Sequence, residues 1–357
     1  MSHTEQETLI IDRDDPVLIT GAAGFIGSAV VEKLLERGLH NLRCFTRSSK
    51  GAVRLAGLAA RFPRTQVEVI QGNLLSRDDC TTAAKGAAVI FHLAAGRGEK
   101  FVPDAFLNSV VTTRNLLEAS VQQRCLRRFV NVSSFTVYTN VGKARCRALD
   151  EYCPVESHPE LRGDAYTFAK VKQDEMVATY GKQFKIPYVL VRPGYVYGPD
   201  GKTALTNRVG IDTFGLFLHM GGSNQIPLSY VENCADAIAL AGLTPGVNGE
   251  VFNVVDDDLP SSRGFLRLYK RNVRPFKSVY VPKTASYLLC YLWELYSGWS
   301  GGQLPLAFNR RVWHAFWKKT SYSNKKLKTR VGWSPSVSTE EGLRRYFEAC
   351  RRGGTNA

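Results

Sequence analysis

The chain has 357 residues, 44% of them hydrophobic, and carries 47 Lys and Arg against 32 Asp and Glu, a formal net charge of +15. That length holds one large α/β unit or two modest ones with a sizeable core. No apolar run is long enough to span a bilayer, and the polar, acid-rich residues 1–15 have neither the basic n-region nor the apolar h-region of a secretory leader.

The first predicted strand, residues 16–20, runs into Thr20-Gly21-Ala22-Ala23-Gly24-Phe25-Ile26-Gly27-Ser28 and then a helical pattern over 25–37. Strand, glycine loop and helix in that order form an anion site: glycines let the backbone approach a pyrophosphate, and free N–H groups at the helix start donate to it. The spacing is Gly-x-x-Gly-x-x-Gly rather than Gly-x-Gly-x-x-Gly, which points to one branch of the dinucleotide-binding fold. Strands are expected at 42–46, 67–71, 88–93, 128–133 and 187–192, with a further buried one within 248–255. Helices are expected at 50–61, 104–122 and 165–183. This alternation predicts βαβ units and a parallel sheet.

Two of these segments carry chemistry. The strand at Arg128-Phe129-Val130-Asn131-Val132 ends in Ser133-Ser134, at the sheet edge where ligands bind. A serine there either hydrogen-bonds a substrate oxygen or caps a turn. Tyr166-Thr167-Phe168-Ala169-Lys170 opens the helix at 165–183 and puts Tyr166 and Lys170 on one face. An ammonium beside a phenol favours the phenolate and equips it to move protons near neutral pH. Tyr-x-x-x-Lys also arises by chance in many helices.

Beyond residue 259 the composition changes. From Pro260 onward there are 19 Lys and Arg against 4 Asp and Glu, a balance of +15, so the first 259 residues are neutral; all five Trp (293, 299, 313, 317, 333) also lie in this part. Residues 284–299 are apolar nearly all round. Phe308, Val312, Trp313, Phe316 and Trp317 fall on one helical face flanked by Arg310, Arg311, Lys318 and Lys319. The aromatic stripe suits a cap packed over an active site, or a helix in a membrane interface. Basic charge without a reading motif gives no reason to expect nucleic acid. The eight cysteines (44, 80, 125, 146, 153, 234, 290, 350) show no Cys-x-x-Cys spacing and read as reduced packing residues of a cytoplasmic protein, with no metal ligand set expected.

Glycine loop, strand-Ser-Ser and Tyr-x-x-x-Lys in this order resemble the short-chain dehydrogenase/reductase superfamily. The likeness is to its extended branch (the NAD-dependent epimerase/dehydratase family), closest in pattern to the 3β-hydroxysteroid dehydrogenase-like subgroup. It runs from about Pro16 to Tyr346 and includes Phe91-His92-Leu93-Ala94-Ala95, Asn115-Leu116-Leu117-Glu118-Ala119, Arg192-Pro193-Gly194-Tyr195-Val196-Tyr197-Gly198-Pro199 and Val331-Gly332-Trp333-Ser334-Pro335. The resemblance implies Ser134, Tyr166 and Lys170 as catalytic residues. Tyr166 would be the acid/base of a hydride transfer between nicotinamide and a substrate carbon, and Lys170 would lower its pKa and hold the ribose. It implies cofactor contacts from Gly21, Gly24, Phe25, Ile26, Gly27, Arg47, Asn73, Leu74, Leu93, Ala94, Ala95, Tyr166, Lys170 and Pro193.

Departures from the family pattern sharpen the reading. Thr46-Arg47-Ser48 stands where many relatives have an Asp for the adenosine ribose, so NADP is expected ahead of NAD. Gly72-Asn73-Leu74 replaces Gly-Asp-Leu, and Asn keeps an acceptor and a donor. The helix asparagine that holds a relay water aligns with Ser109, with Asn108 one place earlier. Phe135-Thr136 replaces the Asp-Glu pair of sugar 4,6-dehydratases, which argues against that reaction. Gln225-Ile226-Pro227-Leu228-Ser229-Tyr230-Val231-Glu232-Asn233 lacks the Arg-Asp and Val-x-Asp of many nucleotide-sugar enzymes and suggests a more apolar substrate.

The expected fold is α/β: a doubly wound parallel Rossmann sheet (14–195 plus about 234–256) with a smaller C-terminal substrate domain (about 196–233 and 257–357). The expected function is NAD(P)-dependent interconversion of a secondary alcohol and a ketone on a sterol-, isoprenoid- or sugar-like small molecule. The alternatives are a sugar epimerase and, from another class, a cofactor-sensing regulator. Peripheral membrane contact through the C-terminal region and a homodimer are further expectations; nucleic acid is not.

Overall fold

Val17, Leu18 and Ile19 are all fully buried, the mark of a strand covered on both faces. They belong to β1 (Val17–Thr20), the centre of the sheet in a computed structural model that describes residues 9–96, 101–141, 148–199, 205–213, 215–301, 303–304, 306 and 308–354. In chain order follow α1 (Phe25–Glu36), β2 (Asn41–Thr46), α2 (Ser49–Ala59), β3 (Gln66–Gln71), α3 (Arg77–Ala84), β4 (Val89–His92) and α4 (Val102–Ala105). A π-helical segment (Phe106–Val111) leads into α5 (Thr112–Val121), then β5 (Arg128–Val132), α6 (Ala165–Phe184) and β6 (Tyr188–Pro193). The strands lie within a residue or two of the expected bounds, and the buried strand expected in 248–255 is Val251–Val254.

Beyond β6 come β7 (Tyr195–Tyr197), β8 (Gly210–Thr213), β9 (Leu216–His219), β10 (Leu228–Tyr230), α7 (Val231–Leu243), β11 (Val251–Val254), α8 (Ser262–Asn272), β12 (Ser278–Tyr280), α9 (Lys283–Trp299), α10 (Arg310–Phe316), α11 (Lys325–Val331) and α12 (Thr339–Gly354). The main sheet has seven strands in the order β11-β6-β5-β4-β1-β2-β3, every pairing parallel. Its side chains alternate as the pleat requires. Val17 and Ile19 face a core with α1, α2, α7 and α11, whereas Leu18 faces one with α3, α5 and α6. The strand order reverses between β1 and β4, and ligands of such sheets bind at that switch point, beyond the carboxyl ends of the strands.

The expected helix over 104–122 is interrupted by the π-helical turn. Ser109 O is taken by Thr113 Oγ1 at 2.6 Å and Gln173 Nε2 at 3.3 Å, and Thr112 Oγ1 donates to Asn108 O at 3.0 Å. Side-chain hydroxyls thus compete for the carbonyls of the helix ladder and widen the turn.

The smaller region forms on one end of the sheet. β7 pairs with β10, while β9 is flanked by antiparallel β8 and parallel β12. Tyr197, Tyr230, Phe265, Tyr346 and Phe347 make its core with α8 and α12. The C-terminal stretch is not all cap: Leu327, Val331 and Trp333 enter the core that covers the main sheet, beside α7. The described cysteines form no disulfide, and Cys44, Cys80, Cys153, Cys234, Cys290 and Cys350 are buried; Cys146 lies outside the described residues.

Candidate active site

A cleft of about 710 Å³ opens over the switch point. Its floor is the turn between β1 and α1. Gly21 sits at φ +69°, and a Cβ there would come 2.8 Å from Ala94 N. A Cβ on Gly27 would lie only 2.1 Å from Gly21 O, so no larger residue fits this turn as built. α1 starts at Gly24 with no side-chain cap and no acidic residue in its first turn. Its leading N–H groups and the positive end of its dipole are therefore left for an anion.

Around that floor the structure places Gly21, Gly24, Phe25, Ile26, Gly27, Arg47, Asn73, Leu74, Leu93, Ala94 and Ala95 on the cleft wall. Arg47 is exposed at its rim beside Ser48, whose hydroxyl caps α2 by accepting from Gly51 N at 3.1 Å. Asn73 Oδ1 accepts from Leu75 N at 3.1 Å, and Asn115 Nδ2 donates to Leu74 O at 3.0 Å, fixing this edge. Pro193 is buried at the end of β6 and is not on the cleft wall; Gly194, Tyr195 and Val196, which follow it, are. A Cβ at Gly194 would meet Pro227 O at 2.2 Å, so the chain crosses there at backbone contact.

His92 orders the back of the cleft. Its Nδ1 pairs with Thr20 Oγ1 at 2.8 Å and its Nε2 with Thr113 Oγ1 at 2.9 Å. Burial, helped by the charge of Lys170, pushes this imidazole down to about 3, so it is neutral and ties β1, β4 and α5 together. The π-helical turn sets Ser109 and Asn108 in different surroundings. Ser109 is buried with its hydroxyl accepting from Gly96 N at 2.8 Å, whereas Asn108 lines the cleft. One extra residue in the turn moves the asparagine position back by one.

Ser134, Tyr166 and Lys170 converge on the same cleft. Ser134 follows β5 in extended backbone, and its Oγ accepts from Thr136 N at 3.2 Å. Tyr166 stands in the first turn of α6, where Asp164 caps the helix by accepting from Tyr166 N at 3.1 Å. Lys170, one turn on, is buried and donates to Val132 O at 2.8 Å. Burial pushes its ammonium down to about 8, with Asp174 opposing the shift.

Asp174 was not singled out from the sequence. It lies one further turn along α6, buried, with Oδ2 accepting from Arg192 Nε at 3.0 Å and Oδ1 from Asn131 Nδ2 at 3.1 Å. Its burial holds the carboxyl above the usual carboxylate range while Arg192 pulls it down. The signal available was Asp174 four residues after Lys170, on the same helix face.

Beside the N-terminus of α6 lies a second pocket of about 320 Å³, walled by Ile211, Phe308, Val312, Phe316 and Trp317 together with Arg162 and Asp164. Most of the aromatic stripe of residues 308–317 is thus turned inward. Arg162 is 1% exposed; its Nη1 donates to Thr136 O at 2.5 Å, while Nε and Nη2 meet no acceptor among the described residues. Its guanidinium lies 5.3 Å from the Phe316 ring centroid. Phe135 stacks on Tyr322 and Thr136 Oγ1 pairs with Thr167 Oγ1, so these positions hold no carboxyl group for water elimination.

A doubly wound sheet, a glycine turn at its switch point and a Ser-Tyr-Lys set at the carboxyl edge define a dinucleotide-binding oxidoreductase of the extended short-chain type. Residues 17–254 match the NAD dependent epimerase/dehydratase family, and the chain belongs to it. Among relatives, it is 28% identical over 251 residues to the uncharacterized UDP-glucose epimerase YtcB of Bacillus subtilis, covering 67% of this chain and 76% of that one. It is 23% identical over 368 residues to 3beta-hydroxysteroid-dehydrogenase/decarboxylase isoform 1 of Arabidopsis thaliana, covering 93% and 79%. Among solved structures, UDP-glucuronic acid 4-epimerase from Bacillus cereus, in complex with UDP-glucuronic acid and NAD, superposes with a TM-score of 0.70 at 20% identity, over 94% of this chain and 99% of that one.

Proposed function

We propose that this enzyme interconverts a secondary alcohol and a ketone with a nicotinamide dinucleotide as redox partner. The convergence of Ser134, Tyr166 and Lys170 on one cleft with the glycine turn carries this reading. The residues fit the cofactor: a close-packed glycine turn, a helix start without a side-chain cap, and a long cleft from Arg47 past Asn73 to Lys170. When bound, the nicotinamide supplies the site that accepts or gives up the hydride.

The chain's own groups handle the proton. Ser134 Oγ orients the substrate oxygen, and Tyr166 takes the hydroxyl proton in oxidation and returns it in reduction. Lys170 holds a positive charge beside the phenol, favours its ionised form and donates to the nicotinamide ribose. Arg47, with no carboxylate beside it, selects the 2′-phosphate of NADP over the free hydroxyl of NAD.

The substrate reading rests on the second pocket. Its wall of Phe308, Val312, Phe316 and Trp317 suits an apolar body of sterol or isoprenoid type, at a surface that we place in peripheral contact with a membrane. Arg162 and Asp164 in the same pocket favour a polar substituent, and they support epimerisation of a sugar-like substrate by the same Tyr166 as the second reading. Incubation of the purified protein with NADP+ or NAD+ and a panel of sterols, polyprenyl-linked sugars and nucleotide sugars separates the two. Net cofactor reduction with a ketone product is the expected outcome. An isomer without net redox change identifies the epimerase, and a cofactor-binding protein inert on the whole panel refutes both.

A further inference from the structure

Helix α9 is built inside out. Its sequence, Lys-Thr-Ala-Ser-Tyr-Leu-Leu-Cys-Tyr-Leu-Trp-Glu-Leu-Tyr-Ser-Gly-Trp, would ordinarily turn its leucines to the core. Instead Ser286, Cys290 and Ser297 are the buried positions. Their small side chains serve the interior contacts: Ser286 Oγ accepts from Trp313 Nε1 at 2.9 Å, and Ser297 Oγ donates to Leu304 O at 2.7 Å. Leu288, Leu289, Leu292, Leu295, Tyr296 and Trp299 face outward, between 51% and 82% exposed. At 100° per residue these positions form one stripe roughly 120° wide along a helix of about 25 Å. Val279 and Tyr280 of β12, just ahead of α9, are exposed as well.

An apolar face this large and continuous marks an interaction site. The charges beside it say what covers it. Arg263 stacks on Tyr280 with 5.1 Å to the ring centroid, and Lys270 Nζ donates to Ser278 Oγ at 2.6 Å, both next to β12. Lys283 opens α9 on its inner side, where Nζ donates to Asn224 Oδ1 at 2.9 Å, so it adds no charge to the stripe. The one acidic residue of α9, Glu294, is held by Arg310 at 2.9 Å and 3.1 Å. A second copy of this chain would set one basic surface against another; a layer of anionic headgroups would neutralise it. Aromatic Tyr296 and Trp299 at the C-terminal end of the stripe are suited to the boundary between headgroups and acyl chains. No helix among the described residues is long and apolar enough to cross a membrane.

We infer that α9 is the membrane-docking face of this enzyme, lying in the plane of an anionic bilayer with its leucine stripe inserted among the lipids. α9 packs on α10, and α10 on the turn at Pro159–Arg162 that leads into catalytic helix α6. The apolar pocket walled by Phe308, Val312 and Phe316 therefore lies in the layer between the docking face and Tyr166. This deepens the proposed function: a substrate resident in a bilayer has a short route to the active site. Docking itself rests only on α9 and its charges.

Vesicle flotation tests it without turnover, so its failure leaves the Tyr166 chemistry standing. The full chain is floated with vesicles of phosphatidylcholine alone and of phosphatidylcholine with about 30% phosphatidylglycerol. The wild-type protein is expected to float with the anionic vesicles and to lose binding as salt rises. The variant Leu288→Gln/Leu292→Gln/Leu295→Gln keeps good helix formers at exposed positions and is expected to keep its melting transition. Its partition should fall at least about tenfold. If that variant fails to fold, the wild-type protein decides alone through the two vesicle compositions. Absence of flotation with anionic vesicles overturns the inference, as does undiminished binding of a folded variant. A dimer that these substitutions dissociate, with no vesicle binding, overturns it in favour of a second copy.

Discussion

Lys170 is the residue on which the proposed proton chemistry turns. A buried ammonium is costly, and here burial brings its titration down to about 8 while Asp174 resists. Below that value Lys170 is charged and supports Tyr166; above it the charge is lost. The activity, kcat/KM measured against pH, should therefore decline as pH rises through about 8. Asp174→Asn removes the opposing negative charge, lowers the Lys170 pKa further and moves this alkaline limb to lower pH. The same substitution leaves Arg192 buried without its ion partner, with both side chains about 5–6% exposed, and should cost roughly 3–5 kcal/mol in denaturant unfolding. A limb that does not move would assign Asp174 to packing alone.

The elements that deliver these residues were legible where the signal is local. The glycine turn, the serines after β5 and Tyr-x-x-x-Lys each occupy a few consecutive positions whose geometry a strand or helix fixes by itself. Gly27→Ala should accordingly weaken cofactor binding at least about tenfold by calorimetry, because its Cβ would lie 2.1 Å from Gly21 O. Signals that depend on distant partners were not legible. The π-helical turn comes from bonds to Ser109 O by Thr113 and by Gln173, which lies on another helix, so no local signal shows that Ser109 is buried while Asn108 lines the cleft. These two residues now separate by experiment. Asn108→Ala should reduce turnover at least about tenfold with little change in stability. Ser109→Ala should cost about 1 kcal/mol of stability through the lost Gly96 bond. The outward leucines of α9 were equally hidden, since an apolar stripe looks the same in sequence whether it meets a core or a bilayer.

At the scale of the whole molecule, the neutral first 259 residues supply the main sheet, the cleft and, with Tyr197 and Tyr230, part of the smaller region, while the basic remainder adds α8, α12 and the α9 surface. Part of that remainder returns to the sheet through Leu327, Val331 and Trp333, so cap and cofactor domain are tied through a shared core. The proposed preference for NADP belongs to the rim of the cleft: Arg47→Ala should weaken NADP(H) by about 10- to 100-fold and leave NAD(H) nearly unchanged, as titration of each cofactor would show. The central claim is that Tyr166 is the acid/base of a nicotinamide-dependent oxidoreduction, and Tyr166→Phe tests it most directly. On a substrate that the wild-type enzyme turns over, with cofactor affinity measured in parallel, the variant should bind cofactor as before and lose at least about 10²-fold in kcat. Unchanged kcat in a cofactor-saturated Tyr166→Phe enzyme would contradict it.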